Sequence, residues 1–284
     1  MLPTTVLLVG PSALGRVDTK SMSQQTLLEV LVGDFGNTQA FWNADGEFKE
    51  ICDWDGVQFY STQSDVVYSI DWDAISVMRS SADADGTVYG VEHPVGSIDL
   101  RWIPSSVKYV SISELSLIGS IDTRSLPREL TFLRLLRNRL SGTFHTADLP
   151  HTLRIIMVST NNLTGSLDLT RLPHRITLFD ASHNAFSGSI DLRALPATLE
   201  HLSLNHNRLS GSIDFRFLSG NLRRCALEQN AFRQDVAVLS ANRSGMLVLG
   251  LDSGTFGSCV DTNGEAVPMD ERVIRGMNMC LVNG

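Results

Sequence analysis

The sequence has few of the residues and motifs that mark several common protein classes. Its four cysteines, in 284 residues, are too few for a disulfide-built scaffold. No apolar run approaches the ~20 residues that a membrane-spanning helix needs. No run of lysines or arginines provides the basic stripe of a nucleic-acid binder, and 23 basic residues stand against 31 acidic ones. We therefore expect no membrane span and no nucleic-acid partner.

The signatures of the major enzyme classes are also missing. The chain contains no G-x-S-x-G, no P-loop, no H-E-x-x-H and no kinase motif set. His183 and His206 with Asp180 come nearest to a metal site, but three residues of strand separate Asp180 from His183 by roughly 10 Å, too far to share one ion. We predict a protein that is not an enzyme and uses no metal or cofactor.

What the sequence does contain is a repeat of 23 residues. One set of asparagines keeps this spacing: Asn138, Asn161, Asn184, Asn207 and Asn230. Glycines keep it as well and extend it upstream: Gly96, Gly119, Gly142, Gly165, Gly188 and Gly211. The surrounding pattern reads LxxLxLxxNxL, and a period of this length with this pattern is typical of leucine-rich repeats.

The chemistry of each repeat predicts its shape. Alternating residues such as Leu202 and Leu204 indicate a short strand with its leucines inward. The asparagine that follows can bond backbone groups of its own coil and the next, so stacked coils form a structural asparagine ladder. The prediction is an α/β-type solenoid, a horseshoe or superhelix with a parallel concave β-sheet and an irregular convex side of short 3₁₀ turns.

A column of aspartates on the convex side has two interpretations. It comprises Asp99, Asp122, Asp168, Asp191 and Asp214. A row of carboxylates could bind calcium. An aspartate that opens a short helical turn also caps its free N–H groups, and arginines two residues on would screen the charge. We interpret the column as structural.

The segment before the repeats resembles a known cap. A helix predicted over 24–32 precedes Trp42-Asn43 and then C-x-W-x-G-V at 52–57, and a strand is predicted over 66–72. This arrangement resembles the N-terminal cap of plant receptor-type leucine-rich-repeat ectodomains. The return leg I-D-L-x-x-L-P is most similar to secreted or surface leucine-rich-repeat proteins of kinetoplastid protists. The resemblance implies a recognition role and a second run of extended backbone on the convex side, while Phe59 replaces the second cap cysteine of the family.

Four regions follow from these patterns. Residues 1–21 are expected to be a disordered leader, and they make a poor signal peptide because no basic residue precedes the apolar patch. Residues 22–92 form the cap, with an insertion at 75–92. Residues 93–256 are the repeats, and 257–284 are a C-terminal cap or tail. We predict a disulfide between Cys259 and Cys280 if the protein is exported, because this short tail has little core.

The concave face of the sheet is the predicted binding surface. Its N-terminal half combines aromatic, apolar and basic side chains: Tyr109, Phe132, Arg134, Leu136, Arg137, Arg139 and Met157. The arginines would steer an anionic partner to an acidic protein, unless they are paired internally with Glu114 and its neighbours.

We expect a recognition module that is secreted or at the cell surface and binds a protein, a peptide or a glycan. The sequons at Asn162 and Asn242 favour this hypothesis. The alternative is a cytoplasmic structural adaptor of the same fold.

Overall fold

The strands of the repeats build a solenoid of stacked coils. The computed structural model describes residues 19–36, 38–61, 63–73, 96–239, 247–252, 256–266 and 277–282. Most of the predicted leader, the insertion at 75–92 and the sequon at Asn242 lie outside these ranges. In chain order the strands are β1 (Val57–Phe59), β2 (Val67–Asp71), β3 (Tyr109–Ser111), β4 (Ile118–Ser120), β5 (Phe132–Arg134), β6 (Arg139–Thr143), β7 (Ile155–Met157), β8 (Asn162–Gly165), β9 (Leu178–Asp180), β10 (Ala185–Gly188), β11 (His201–Ser203), β12 (Arg208–Gly211), β13 (Arg224–Ala226), β14 (Ala231–Phe232), β15 (Gln234–Leu239), β16 (Leu247–Asp252), β17 (Phe256–Asp261) and β18 (Met277–Val282).

The larger sheet contains ten of the described strands, in the order β1-β2-β3-β5-β7-β9-β11-β13-β16-β18. From β2 to β16 all neighbours are parallel, while β1 and β18 pair antiparallel at the two ends. Leu202 pairs with Phe179 on one side and with Cys225 on the other, so each strand meets its equivalent one repeat away. The predicted parallel sheet is confirmed.

The core lies behind this sheet and runs the length of the solenoid. One inward column is completely buried in every coil: Val110, Leu133, Ile156, Phe179, Leu202, Cys225 and Leu249. The column two residues later is buried in the same way, as in Leu135 and Leu204. Since each coil buries its apolar edge against its neighbours, the stack forms one continuous core.

A second sheet of six strands runs through the other side of the coil, in the order β14-β12-β10-β8-β6-β4. Gly142, Gly165, Gly188 and Gly211 lie in or at the end of these strands with φ between 83° and 90°. A side chain would strain this left-handed backbone, so the repeated glycine is required. This sheet is the second run of extended backbone that the resemblance implied.

Aspartates begin the turns that follow the second sheet. In each of the five predicted positions the carboxylate accepts from the backbone N–H two residues on, at 2.9–3.1 Å. Three of these five aspartates also pair with the arginine two residues later: Asp99, Asp191 and Asp214. In the described part of the chain no three His, Cys, Asp or Glu side chains are placed to hold a metal ion. The interpretation of the column as caps is confirmed.

The N-terminal cap closes the first coil with a helix and an aromatic cluster. Helix α1 spans Gln24–Val32 as predicted, and the Ser23 side chain caps it by accepting from Thr26 N–H. Behind it, Phe41 lies 4.5 Å from the Trp54 ring and 5.2 Å from the Trp72 ring. None of the described helices is long and apolar enough to cross a membrane.

The C-terminal end is more ordered than a polar, turn-rich tail. Strand β17 pairs in parallel with β15 in a small separate sheet, and β18 pairs antiparallel with β16. The last strand therefore covers the edge that the final repeat would leave open.

Candidate functional site

The repeated asparagines form a continuous ladder along the end of the large sheet. In the middle coil, Asn184 Oδ1 accepts from Leu163 N–H (3.0 Å), and Asn184 Nδ2 donates to the carbonyls of Val158 (3.0 Å), Ser182 (3.1 Å) and Ala181 (3.3 Å). Asn138, Asn161, Asn207 and Asn230 make equivalent bonds. Each amide therefore joins two neighbouring coils at the point where the chain leaves the sheet.

The residue before each ladder position, which is Leu115 in the first coil and an asparagine in the next five, has a left-handed backbone that the sequence analysis missed. This column has φ between 50° and 63°: Glu114, Arg137, Thr160, His183, His206 and Gln229. No glycine occurs there, and side chains rarely adopt this conformation. Its repetition in six coils is explained by the tight turn that brings the asparagine amide under the strand.

The outer face of the large sheet, which is its surface away from the core, carries a row of apolar side chains. In consecutive strands Tyr109, Phe132, Ile155 and Leu178 are direct neighbours, all half-buried. The Tyr109 and Phe132 rings stack with centroids 4.2 Å apart and an interplanar angle of 9°. We call these four residues the apolar row. It extends the predicted surface, which already included Met157 in the strand of Ile155, by one further coil at Leu178.

The basic residues predicted on this face have acidic partners within the chain. Arg134 NH1 lies 2.8 Å from Asp73 Oδ2, and Ser111 Oγ donates to the same carboxylate. Arg137 NH1 lies 3.2 Å from Glu114 Oε1. Because their charges are balanced within the chain, these arginines provide little attraction for an anionic partner. Their geometry matches the alternative in which the arginines pair internally.

The predicted position of Arg139 was wrong. It lies in β6 of the six-stranded sheet, exposed and paired with Ile118 of β4. The large sheet ends before the left-handed residue Arg137 and the ladder residue Asn138, so Arg139 is already beyond the turn. Leu136 and Met157 do lie with Phe132 and Arg134 on the outer face, and they are half-buried.

Two carboxylates beside the apolar row modify the acid–base behaviour of Tyr109. Burial raises the pKa of Tyr109, and the negative charges of Asp71 and Asp73 raise it further. The pKa of Asp71 is also raised, first by burial and then by Asp73. Both shifts favour the neutral forms of these two side chains.

The two histidines of the left-handed column stack on each other. The His183 and His206 rings have centroids 4.0 Å apart and lie within 15° of parallel. Burial and then the neighbouring His206 lower the pKa of His183 below 6.5, while Asp180 and Glu228 oppose the shift. His183 therefore binds a proton less readily in the folded chain. Its contribution to stability is present above 6.5 and is lost as the pH falls through the lowered value.

Replacing His206 with alanine is expected to raise the pKa of His183 towards 6.5. The substitution removes both the repulsion between two imidazolium charges and part of the burial of the His183 ring. Imidazole chemical shifts followed by NMR during a pH titration measure the change. Thr160→Ala, one coil away on the opposite side of His183, should leave this pKa unchanged. An unaltered His183 titration in His206→Ala would contradict the assignment.

All three buried polar side-chain atoms without a hydrogen-bond partner among the described residues lie on the outer face. They are Ser113 Oγ, Arg134 Nε and Glu228 Oε2. Ser113 and Glu228 occupy the same position of the repeat, two residues before the ladder position, at opposite ends of the sheet. Buried polar atoms in folded proteins are nearly always paired, so this face has unmet bonding capacity.

A separate groove of about 1100 Å³ lies on the other side of the coil. Equivalent segments of three successive coils line it, together with Gln234 and Val238: Ser-Leu-Asp-Leu at 166–169, Ser-Ile-Asp-Leu at 189–192 and Ser-Ile-Asp at 212–214. Two of its three aspartates bond arginines: hydrogen bonds from Arg193 hold the pKa of Asp191 at about 2, and Arg216 lowers the pKa of Asp214. The third, Asp168, accepts from the backbone and side chain of Thr170. With its charged groups already bonded within the chain, this groove is a weaker candidate than the outer face.

The other predicted sites have simple positions. Asn162, the acceptor of the first sequon, is exposed at the start of β8. Cys259 is buried in β17, and Cys280 belongs to β18, whose side chains lie outside the described residues. The predicted disulfide between them stays a prediction. Cys52 is exposed and has no disulfide partner among the described residues.

Comparison with known proteins adds structural neighbours. No family model and no curated protein matches the chain. Among solved structures it is similar to the BIR2 ectodomain of Arabidopsis thaliana, with 21% identity, 74% of this chain and 93% of that one covered, and a TM-score of 0.43. It is also similar to the leucine-rich-repeat ectodomain of the receptor kinase SOBIR1 from the same plant, with 20% identity, coverage of 66% and 94%, and a TM-score of 0.44.

A third structural neighbour is much longer than this chain. The leucine-rich-repeat ectodomain of GASSHO1/SCHENGEN3 from Arabidopsis thaliana, in complex with CASPARIAN STRIP INTEGRITY FACTOR 2, shares 22% identity with a TM-score of 0.40. The match covers 50% of this chain and 20% of that one. The fold of this chain, with parallel strands every 23 residues and its asparagine ladder, is a leucine-rich-repeat solenoid. The resemblance to kinetoplastid proteins stays a prediction.

Proposed function

We propose that this protein is a non-enzymatic recognition module that binds a protein or peptide through the outer face of its ten-stranded sheet. The observation that carries the proposal is that all three buried side-chain nitrogen and oxygen atoms without a hydrogen-bond partner among the described residues lie on this one face. The apolar row beside two of these atoms supports it, because contiguous, partly exposed apolar side chains mark contact surfaces. An aromatic stack with an adjacent arginine has the composition of interface hot spots.

The structure changes the expected chemistry of the partner. An anionic partner was predicted from three arginines, but one of them lies on the other sheet and two are ion-paired. A glycan has no specific support from the contacts of this face. The proposal therefore keeps a protein or peptide partner with apolar side chains.

Ile155→Glu is expected to weaken partner binding by at least about 30-fold, the effect of losing one hot-spot contact of about 2 kcal/mol. The charge would be placed in the middle of the apolar row. Ile118→Glu is the matched control: the same substitution on the six-stranded sheet, where Ile118 is 51% exposed. A binding partner isolated with the wild-type protein is titrated against both variants by calorimetry, after circular dichroism has shown that both fold. If Ile118→Glu loses binding and Ile155→Glu retains it, the site lies on the six-stranded sheet and the proposal is contradicted.

We further propose that the protein is secreted or displayed at the cell surface. The exposed Asn162 can accept a glycan without disturbing the core. Expression of the full-length gene, followed by a test for glycosylated product outside the cell, examines this directly. Unglycosylated product that stays inside would favour the cytoplasmic adaptor.

Exported material is expected to contain a disulfide between Cys259 and Cys280. Such a bond would stabilise the C-terminal end by ~3 kcal/mol, because it closes a loop of moderate length in the unfolded chain. Alkylation of the denatured protein before and after reduction, followed by mass spectrometry, measures the pairing. Alkylation of both cysteines without reductant would refute it. Cys52, which is exposed and has no disulfide partner among the described residues, is the control that alkylates under both conditions.

A further inference from the structure

Glu228 is a buried acid on the outer face without a counter-ion in the described chain. Its side chain belongs to a residue that is only 5% exposed, and its Oε2 has no hydrogen-bond partner. None of the ion pairs among the described residues includes it. Burying a carboxylate without a donor is unfavourable, so this arrangement requires either compensation or a ligand.

The sequence makes room for this carboxylate. A Cβ atom at Gly250 would lie 2.2 Å from Glu228 Oε2 and 3.0 Å from its Cδ, so any other residue there would displace the acid. Gly250 pairs with Ala226, in the row that holds Arg134 and Met157 in earlier coils. The Glu228 carboxylate therefore occupies space that is left free because Gly250, next to Ala226, has no Cβ atom.

A metal ion does not explain the site. A metal ion would need further ligands, and the described residues contain no group of three His, Cys, Asp or Glu placed to hold one. A cationic N–H donor supplies both the missing charge and the missing hydrogen bond.

The surrounding charges are compatible with a cation. Asp180 lies on the same face, and Asp252 in the adjacent strand accepts from Gln229 N–H at 2.7 Å. The opposing charge is Arg224, exposed at the far end of the same strand as Ala226. The stacked His183 and His206 lie in the neighbouring coils, and the negative charge of Glu228 already acts on His183.

We propose that Glu228 is the counter-ion for a cationic group, an ammonium or a guanidinium, of the partner that binds the outer face. The inference rests on the proposed function and specifies the chemistry of its ligand. The partner would cover the apolar row with apolar side chains and would place one basic group in the C-terminal half of the sheet.

Small cations test this subsite without a macromolecular partner. The probes are N-acetyl-arginine amide for a guanidinium, N-acetyl-lysine amide for a side-chain ammonium and alaninamide for a chain terminus. N-acetyl-citrulline amide is the uncharged match for arginine. We expect at least one cation, and not citrulline, to shift the NMR signals of His183 and His206 saturably at millimolar concentration. The cation that binds most tightly identifies the source of the charge.

Two isosteric variants locate the effect. Glu228→Gln is expected to weaken binding of the cation at least about tenfold, because it removes a charge-assisted bond. Glu200→Gln makes the same change in net charge at an acid paired with Arg223 at 3.5 Å, and it should bind like the wild type. Equal shifts from citrulline and arginine, no saturable shift with any cation, or full binding by Glu228→Gln would each overturn the proposal.

Thermal stability separates a ligand-binding acid from a structural one. Removing an uncompensated buried charge should leave the melting temperature of Glu228→Gln unchanged or raise it. A lower melting temperature, or failure to fold, would show that the carboxylate stabilises the coil and would overturn the proposal. The subsite and the proposed function can also fail separately. If the wild type binds the cation saturably but Ile155→Glu leaves partner binding intact, the proposed function is rejected and the subsite is retained.

Discussion

Asn184→Ala is expected to lower the free energy of unfolding by about 3 kcal/mol, against less than about 1 kcal/mol for His183→Ala. The asparagine amide joins two neighbouring coils, since it accepts from Leu163 N–H and donates to the Val158 carbonyl in the preceding coil and donates to two carbonyls of its own coil. Without it, Leu163 N–H loses its acceptor, while the three carbonyls each lose one of their donors. The adjacent His183 side chain loses only its stack on His206.

Chemical denaturation of both variants measures the difference. His183→Ala places alanine in a left-handed conformation, so any backbone strain falls on this control and can only reduce the expected difference. Equal denaturation midpoints for the two variants would mean that water replaces the asparagine amide without loss of stability. The ladder would then not contribute to the stability of the stacked coils.

The repeats were predictable because the signal recurs. A period of 23 residues assigns the inward leucines, the ladder and the aspartate caps to columns, and a mistake in one coil is corrected by its neighbours. Strand pairing every 23 residues then follows, and so does the burial of Cys225 in a leucine position. The left-handed column was missed because its residues share no chemistry, and only the φ angles reveal it.

The binding face was predicted less well, because its partners come from outside the repeat. Asp73, which pairs with Arg134, lies in the cap, where no period assigns it to a column. Arg139 was placed on the wrong sheet because the turn at Asn138 redirects the chain within one residue. Glu228 drew no attention in the sequence, since its burial depends on two small residues, Ala226 just before it in the same coil and Gly250 in the next strand.

The cap offers the second large effect, at Gly56 of its C-x-W-x-G-V segment. Gly56→Ala is expected to destabilise the protein by about 3 kcal/mol or more, because backbone strain and overpacking add together. Gly56 has φ +80°, and a Cβ there would lie 2.1 Å from the Asp71 carbonyl oxygen and 2.9 Å from Trp72 Cδ1. Asp71 belongs to β2, which joins the cap to the first repeat strand β3. Moving it would loosen that junction and the aromatic cluster around Trp72.

Gly46→Ala separates the two causes. Gly46 has nearly the same backbone angle, φ +77°, but nothing lies within 4 Å of its added Cβ. It should therefore cost only the left-handed strain of about 1 kcal/mol. Unfolding in denaturant, followed by tryptophan fluorescence, compares the two variants in the same cap, where Trp54 and Trp72 report directly on packing. If both alanines cost the same, the close approach of β2 does not constrain this position, and backbone conformation alone explains why glycine occupies it.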